Sequence, residues 1–315
     1  MKILLASSSS VACDIFADLI KNHPKIEIIG FLTNKDKPAG RGQSETENEF
    51  AGWAKQFGLP IFKVSDNEEI SKVLAQTKTD LVITVAFGRL INQQNLSHPK
   101  YGWLNVHFSL LPKYRGAAPV QHAILNGDEV TGISIFQMAA GLDTGPIFVQ
   151  SQYQIPKFAT TNSVLRELGK LSIPALKKAI ADLENGIPPK SQADFKTAPT
   201  SAPKIYKSDG HLDFSQSISV ISAKYRALSQ SPGVYANVEN QRIKFEELDF
   251  HSKDTGHISN IKSEITQIVL QDKSMFIAAK DGLVEVIKLK PEGKSSMSGE
   301  EFLRGRANLV GKKLN

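Results

Sequence analysis

Short apolar runs alternate with segments of helical periodicity through the first half of the chain. Four of the runs have the length and near-continuous hydrophobicity of strands buried on both faces, and we predict parallel strands over residues 2–6, 26–32, 81–87 and 103–107. Residues that favour helix starts precede the segments between them, which predicts helices over 13–21, 48–57 and, after a cap at Asp66, 68–76. Strand and helix in alternation are typical of an α/β fold with a doubly wound, Rossmann-like parallel sheet.

The pattern changes towards the second half. Two more strands are predicted at 133–138 and 147–155 and a helix at 163–183, before a proline-rich stretch with few apolar residues that indicates a linker. Later strand-like runs are predicted at 233–238, 242–248, 267–270, 275–279 and 283–287, and Asp281-Gly282 joins the last two as a hairpin. We therefore predict one domain over 1–189, a linker over 190–205, and a smaller, mainly β domain, a small barrel, over 206–315.

Composition narrows the class of protein. The chain has 315 residues, of which 41% are hydrophobic and 22% are charged, as in folded globular proteins. Cys13 is the single cysteine, which excludes an internal disulfide and a multi-cysteine zinc site and suits a reducing compartment. The opening apolar run has only four residues and no apolar stretch reaches 18, so we expect a cytoplasmic protein with no membrane partner. We also expect it to be a monomer.

Charge indicates an anionic partner only weakly. The formal net charge is +6, an excess that many solvated surfaces carry. From Phe302 onwards the chain holds Arg304, Arg306, Lys312 and Lys313 and no acidic residue. This indicates either a solvated tail or an anion-binding one.

Polar chemistry is concentrated directly after the fourth predicted strand. Asn105 and His107 fall at its carboxyl end, where ligands bind in open α/β sheets, and at strand spacing their side chains share one face. An amide beside an imidazole can hold the oxygen of a carbonyl under attack, and the imidazole can also move a proton. Taken alone, such a pair is more often structural than catalytic. Asp143 lies in a later tight turn, where spacing alone favours an ordinary turn aspartate.

These segments together resemble the folate-dependent formyltransferase family, whose signature is Asn-x-His-x-Ser-Leu-Leu-Pro followed by a distal catalytic Asp. Every position of that signature is present, in Asn105, His107, Ser109, Leu110, Leu111, Pro112 and Asp143. The resemblance is closest to members that formylate methionyl initiator tRNA, and it extends over nearly the whole chain through residues 37–42, 115–119, 141–145, 202–205 and 297–305.

The resemblance implies an activity and its substrates. The formyl group of 10-formyltetrahydrofolate would pass to the amino group of initiator Met-tRNA, for translation initiation. Asn105 and His107 would donate hydrogen bonds to the oxyanion, and Asp143 would orient the imidazole. The C-terminal domain would be an OB-like barrel that tracks the phosphate backbone of the tRNA.

The resemblance also implies binding residues. For the folate these are Ser109, Leu110, Leu111, Pro112, Phe87, Gly88, Leu90 and Gly141. For the tRNA they are Lys37 and Arg41 in a basic loop over 37–42, Lys204 where the linker leads into the second domain, and Arg304 and Arg306 in that domain. No metal is expected, because no cluster of His and carboxylates has ligand spacing.

Two departures from the family pattern and three alternatives remain. Serines at 7–10 replace a common Gly-Thr-Pro turn, and Phe87 replaces a common Tyr. A formyltransferase acting on a nucleotide-sugar amine would share the three catalytic residues, but it is not expected to combine loop 37–42 with a basic barrel. A glycinamide ribonucleotide formyltransferase would need a glycine-rich loop at 7–10. A tRNA-binding protein without catalysis would not be expected to retain Asn105, His107 and Asp143.

Overall fold

The computed structural model describes residues 1–23, 26–39, 44–239, 241–252 and 263–315. The chain forms two compact units. The first contains Met1–Val120, Glu129–Lys157 and Ser163–Pro203, and the second contains Gln121–Asp128, Phe158–Asn162 and Lys204–Asn315. Among the helices within these ranges, none combines the length and apolar character that a membrane span needs.

A seven-stranded sheet forms the centre of the first unit. The strands of this unit are β1 (Lys2–Ser7), β2 (Glu27–Asn34), β3 (Lys37–Ala39), β4 (Ser44–Thr46), β5 (Ile61–Val64), β6 (Leu81–Val85), β7 (Trp103–His107), β8 (Val130–Gln137) and β9 (Ile147–Gln154). β3 and β4 pair with each other, and the other seven follow the order β5-β2-β1-β6-β7-β8-β9. Together with the mainly β second unit, this confirms the predicted fold class.

The sheet is mixed: the four strands predicted as parallel are parallel, and the two later strands, whose direction the sequence did not give, are antiparallel. β5, β2, β1, β6 and β7 are parallel, whereas β8 runs antiparallel to β7 and β9 antiparallel to β8. The connection between β7 and β8 covers residues 108–129 and contains one helix, of 7 residues. The chain then runs back beside β7, where His107 pairs with Ser134.

Several of the helices begin at a residue whose side chain caps them. The helices are α1 (Cys13–Asn22), α2 (Glu49–Ala54), α3 (Asn67–Thr77), α4 (Gln93–Ser97), α5 (Pro119–Leu125), α6 (Thr161–Glu184), α7 (Ile218–Leu228) and α8 (Gly299–Arg304). The Asn48 side chain accepts a hydrogen bond from the Ala51 N–H at the start of α2, and Asp66 accepts one from Glu69 at the start of α3. The predicted cap at Asp66 is confirmed. Four short or C-terminal helices were not predicted: α4, α5, α7 and α8.

An aromatic cluster joins α1, β2 and α2. Phe31 of β2 lies in contact with Phe50 and Trp53 of α2, with ring centroids 5.8 and 5.9 Å apart, and Phe16 of α1 packs against Phe50 at 5.8 Å. Most of these ring pairs are edge-to-face, the arrangement that the aromatic quadrupole favours. Since Phe16, Phe31 and Phe50 are fully buried, this cluster is a major part of the core on one face of the sheet.

The second unit is an antiparallel sheet. Its strands are β10 (Val234–Val238), β11 (Gln241–Ser252), β12 (Ile268–Gln271), β13 (Ser274–Ala279), β14 (Gly282–Pro291) and β15 (Met297–Ser298). Five of them follow the order β10-β11-β14-β13-β12, and β15 pairs with β14. The predicted hairpin between β13 and β14 is confirmed, but because Ala279 pairs with Gly282 its turn is Lys280-Asp281, one residue earlier than predicted.

Residues 311–315 connect the two edges of this sheet. On one side Leu314 bridges Val238, and Asn315 exchanges two backbone hydrogen bonds of 2.8 and 2.9 Å with Asn237. On the other side Lys313 bridges Gln267, and the Leu314 N–H donates to the Thr266 carbonyl. Residues 311–315 therefore close the sheet into a barrel. Within the C-terminal segment that starts at Phe302, these five residues are part of the folded unit, so a solvated tail does not describe them.

The segment after α6 runs along the first unit. Residues 190–203, most of the predicted linker, belong to that unit. Lys190 exchanges two backbone hydrogen bonds with Ile147 of β9, and the Arg115 N–H donates to the Thr200 carbonyl at 2.8 Å. We call residues 190–203 the strap.

Replacing Phe31 tests the aromatic cluster. Phe31→Ala should lower the free energy of unfolding by about 3 to 5 kcal/mol, because a fully buried ring is lost and a cavity remains. Urea unfolding followed by tryptophan fluorescence measures it. Phe158→Ala is the matched control, since its ring is 78% exposed, and it should cost less than about 1 kcal/mol. Equal losses in the two variants would contradict a core role for the cluster.

Candidate active site

A cavity of about 410 Å³ opens at the carboxyl ends of β6 and β7. Its apolar wall includes Phe87, Ile91, Phe136 and Met138, and its polar side includes Asn105, His107 and Asp143. The volume lies within the range of small-molecule sites, and the position is the one where open α/β sheets bind ligands. The structure thus brings together the three residues that the sequence predicts as catalytic.

Asn105 is oriented by the neighbouring strand. Thr84 of β6 donates a hydrogen bond from Oγ1 to Asn105 Oδ1 at 2.6 Å. Because Oδ1 accepts this bond, Nδ2 carries the donors of the amide. Asn105 Nδ2 has no partner among the residues that the structure describes, and the side chain borders the cavity. It can therefore donate to a ligand oxygen.

His107 has one nitrogen engaged and one directed at a carboxylate. Nε2 lies 2.8 Å from the carbonyl oxygen of Tyr114, which can only accept, so Nε2 carries the proton. Nδ1 lies 3.7 Å from Asp143 Oδ2. Burial lowers the pKa of His107 below its ordinary value of 6.5, while the Asp143 carboxylate and the Tyr114 carbonyl oppose that shift. In the neutral ring Nδ1 is then a proton acceptor.

Asp143 is held by residues far away in the sequence. Its Oδ2 accepts a hydrogen bond of 2.8 Å from the Gly116 N–H, and its own carbonyl accepts one of 2.8 Å from Nε2 of Gln192. Its backbone has φ 51°, in the left-handed region that costs energy for a residue with a side chain. The carboxylate is thus built into a tertiary contact, which goes beyond an ordinary turn aspartate.

The residues predicted to bind folate divide into two groups. Phe87, Gly88, Leu90 and Gly141 border the cavity. The run 109–112 does not border it, and instead forms the loop that follows β7. Ser109 Oγ donates to the Lys113 carbonyl at 2.6 Å, and Ser134 Oγ accepts from the Leu111 N–H at 3.0 Å.

The two departures from the family pattern meet in one network. Asn34 at the end of β2 donates from Nδ2 to Ser8 Oγ at 2.6 Å and to the Phe87 carbonyl at 3.0 Å. Arg89 donates to Asn34 Oδ1 and, at 2.8 Å, to the Val64 carbonyl. Through Asn34, the serines at 7–10 therefore help to position the backbone at Phe87, which borders the cavity.

Sequence reasoning missed Thr84, Tyr114, Gln192 and the pair of Asn34 with Arg89. Thr84 is a polar residue inside a strand that is otherwise apolar, which is a usable signal for a buried hydrogen bond. Tyr114 acts through its backbone carbonyl, which no side-chain pattern reports. Gln192 lies in a proline-rich stretch whose composition resembles that of a linker.

The residues predicted to bind tRNA are spread over both units. Lys37 is exposed on β3 in the first unit, and Arg41 lies outside the described residues. In the second unit Lys204 lies over the Tyr206 ring, Arg304 pairs with Glu300 at 3.0 Å, and the Arg306 guanidinium lies 4.7 Å from the centre of the Phe302 ring.

One group of three side chains with metal-binding atoms occurs within the described ranges. It consists of Asp249, His251 and Glu285 in the second unit. His251 Nε2 lies 3.2 Å from Glu285 Oε2, so the group is satisfied internally as an ion pair when the histidine is protonated. The sequence did not predict it because pairing of β11 with β14 brings the three residues together.

Matches to known proteins cover nearly the whole chain. The Formyl transferase family model matches residues 1–180, and the model of the formyl transferase C-terminal domain matches residues 204–307. A methionyl-tRNA formyltransferase of Renibacterium salmoninarum is 32% identical over 309 residues, which cover 97% of this chain and 96% of that protein. A methionyl-tRNA formyltransferase of Rickettsia bellii is 32% identical over 307 residues, 97% of each chain.

Solved structures share the fold at lower identity. HypX from Aquifex aeolicus in complex with tetrahydrofolic acid has a TM-score of 0.68 at 16% sequence identity. The match covers 98% of this chain and 48% of HypX, so this chain spans about half the length of HypX. An N-formyltransferase from Helicobacter canadensis in complex with folinic acid and dTDP-3-aminofucose has a TM-score of 0.63 at 18% identity, over 91% of this chain and 98% of that one.

The protonation of His107 is directly testable. Nuclear magnetic resonance titration of the side chain should give a pKa below 6.5, because burial disfavours the charged ring. Asp143→Asn should lower that pKa further, since the carboxylate charge that favours the imidazolium is removed. A rise of the pKa in Asp143→Asn would show that the 3.7 Å approach of the two groups does not govern the titration.

Proposed function

The chain belongs to the formyltransferase family, and on that premise we propose that it transfers the formyl group of 10-formyltetrahydrofolate to the amino group of methionyl initiator tRNA. The observation that carries the proposal is the agreement with methionyl-tRNA formyltransferases over 97% of the chain, across both units. Asn105, His107 and Asp143 at one cavity supply the chemistry that this reaction needs.

The cavity suits the folate. Its volume of about 410 Å³ and its wall of aromatic and aliphatic side chains fit a flat heterocycle, with polar groups at one side. The folate supplies the electrophilic formyl carbon, which the amine of methionine attacks. We propose that the backbone around Phe87, Gly88 and Leu90, together with Gly141, holds it.

Asn105 is the first donor to the developing oxyanion. Its Nδ2 is available at the cavity, and the bond from Thr84 fixes the amide before the ligand arrives. A donor that is already oriented needs no reorganisation when charge develops on the oxygen, and one such donor is worth about 3 to 4 kcal/mol.

His107 acts as the base and then as a donor. Its neutral Nδ1 accepts the proton that the attacking amine must lose when the C–N bond forms. The Asp143 carboxylate, 3.7 Å away, stabilises the resulting imidazolium. Because Nε2 is engaged with the Tyr114 carbonyl, the hydrogen bond from His107 to the oxyanion follows this transfer. The same proton then passes to the nitrogen that leaves the formyl carbon, which returns the ring to its neutral form.

The first unit supplies every group of this mechanism within one chain, which supports a monomeric enzyme. We propose that the second unit and Lys37 bind the tRNA. The second unit matches the family's C-terminal domain, and the exposed Lys37 belongs to the hairpin of β3 and β4. Arg41, outside the described residues, is proposed to enter the acceptor end with Lys37.

Replacing the catalytic groups should abolish most of the activity. Asn105→Ala, His107→Ala and Asp143→Ala should each lower kcat by about a hundredfold or more in a formylation assay with initiator Met-tRNA and 10-formyltetrahydrofolate. His98→Ala, an exposed histidine after α4, should keep full activity. Parallel assays with elongator Met-tRNA and with a nucleotide-sugar amine identify the acceptor. Faster transfer to the sugar amine than to initiator tRNA would overturn the proposed substrate.

Salt should weaken the binding of tRNA much more than the binding of folate. Each phosphate contact contributes about 0.7 to 0.9 to the slope of log affinity against log salt concentration. Arg306→Ala should therefore reduce the slope by about the contribution of one contact. Lys72→Ala, an exposed lysine on α3, should leave it unchanged. Filter binding of Met-tRNA at several salt concentrations measures the slopes. Identical slopes for Arg306→Ala and Lys72→Ala would remove Arg306 from the tRNA contact.

A further inference from the structure

The strap lies outside both matches to the family. Those matches end at residue 180 and resume at residue 204, whereas the strap covers residues 190–203. It nevertheless pairs with β9 at Ile147 and with the chain after β7 at Arg115, through backbone hydrogen bonds of 2.7 to 2.9 Å. A segment that only connected two units would not need these contacts.

Gln192 holds the turn that carries Asp143. Its Nε2 donates to the carbonyls of Asp143 and Gly145, both at 2.8 Å. Its Oε1 accepts two hydrogen bonds from the Arg115 guanidinium, at 2.6 and 3.1 Å. The side chain is buried, so every polar atom of the amide is used, and loss of any partner would leave a buried polar group unsatisfied.

Thr200 holds the residue that orients His107. Its Oγ1 accepts a hydrogen bond of 2.8 Å from the Tyr114 N–H. The carbonyl oxygen of the same Tyr114 accepts the hydrogen bond from Nε2 of His107. Tyr114 has φ 61°, which is unfavourable for a residue with a side chain and persists only where neighbouring contacts impose it.

The strap also lies against Gly116, the donor to Asp143. A Cβ at position 116 would lie 2.5 Å from the carbonyl oxygen of Ala202, so the backbone at 116 approaches the strap as closely as glycine allows. The Ala202 N–H donates to the Arg115 carbonyl at 2.7 Å, which holds this approach. Three contacts of the strap thus lead to the groups that hold His107 and Asp143.

We propose that the strap belongs to the catalytic unit, with Gln192 and Thr200 as positioning residues that hold Asp143 and His107 at their working separation. Gln192 acts on Asp143 through its backbone carbonyl, and Thr200 acts on His107 through Tyr114. Neither residue contacts the reacting atoms. The proposal rests on the proposed function for its kinetic test and on geometry alone for its structural test.

The kinetic test separates positioning from general stability. Gln192→Met keeps the size of the side chain and removes its hydrogen bonds, so kcat should fall about tenfold or more while KM for both substrates changes less than about threefold. Gln152→Met, on the exposed side of β9, is the matched control and should leave kcat unchanged. Thr200→Val should also lower kcat, and Thr200→Ser, which retains the hydroxyl, should restore it.

Double variants show which group each residue acts through. Gln192→Met combined with Asp143→Ala should be no slower than Asp143→Ala alone, because the residue that Gln192 positions is already absent. Thr200→Val should likewise add nothing to His107→Ala. Independent, multiplicative losses would overturn the proposal, as would unchanged kcat in both Gln192→Met and Thr200→Val.

A crystal structure of Gln192→Met provides a readout that does not depend on the substrate. The distance between His107 Nδ1 and Asp143 Oδ2 should exceed the 3.7 Å of the unaltered protein, and the bond from Gly116 should be lost. An unchanged Asp143 turn would reject the proposal even if the unaltered enzyme formylates Met-tRNA. If the unaltered protein formylates no Met-tRNA but the turn moves in the variant, the proposed function fails and the positioning role stands.

Discussion

The hydrogen bond between His107 Nε2 and the carbonyl of Tyr114 determines the chemistry of the whole site. A carbonyl oxygen cannot donate, so this bond assigns the proton to Nε2 and leaves Nδ1 as the nitrogen that faces Asp143 and the cavity. Burial lowers the pKa of the ring and so disfavours its charged form, and in the proposed mechanism the Asp143 carboxylate stabilises the ring once it gains a proton. The loop after β7, the Asp143 turn and the strap all serve to keep this geometry, because each fixes one partner of the imidazole.

Much of the first unit could be predicted from sequence because its signals are local. Strands buried on both faces are continuous apolar runs, and caps such as Asp66 act within three residues. The direction of β8 could not be predicted, since apolar periodicity is the same for parallel and antiparallel strands. β5 was missed because it has four residues, three of them only partly buried.

In the site, too, local signals could be predicted from the sequence and long-range contacts could not. Asn105, His107 and Asp143 could be predicted because a family signature names side chains, and the three border one cavity. Gln192 and Thr200 were missed because they act on backbone groups 47 and 86 positions away, and their segment has the composition of a linker. The serine loop at 7–10 and Phe87, which are departures in sequence, turn out to be partners of a single asparagine, Asn34.

Closure of the β-barrel by residues 311–315 has a consequence for synthesis. β10 and β12 are translated well before those residues, and each has an edge that pairs with them. Unpaired strand edges are templates for association with other chains. During translation the edges of β10 and β12 therefore lack this partner until residues 311–315 have left the ribosome, so the second unit can associate through them until this segment enters the barrel.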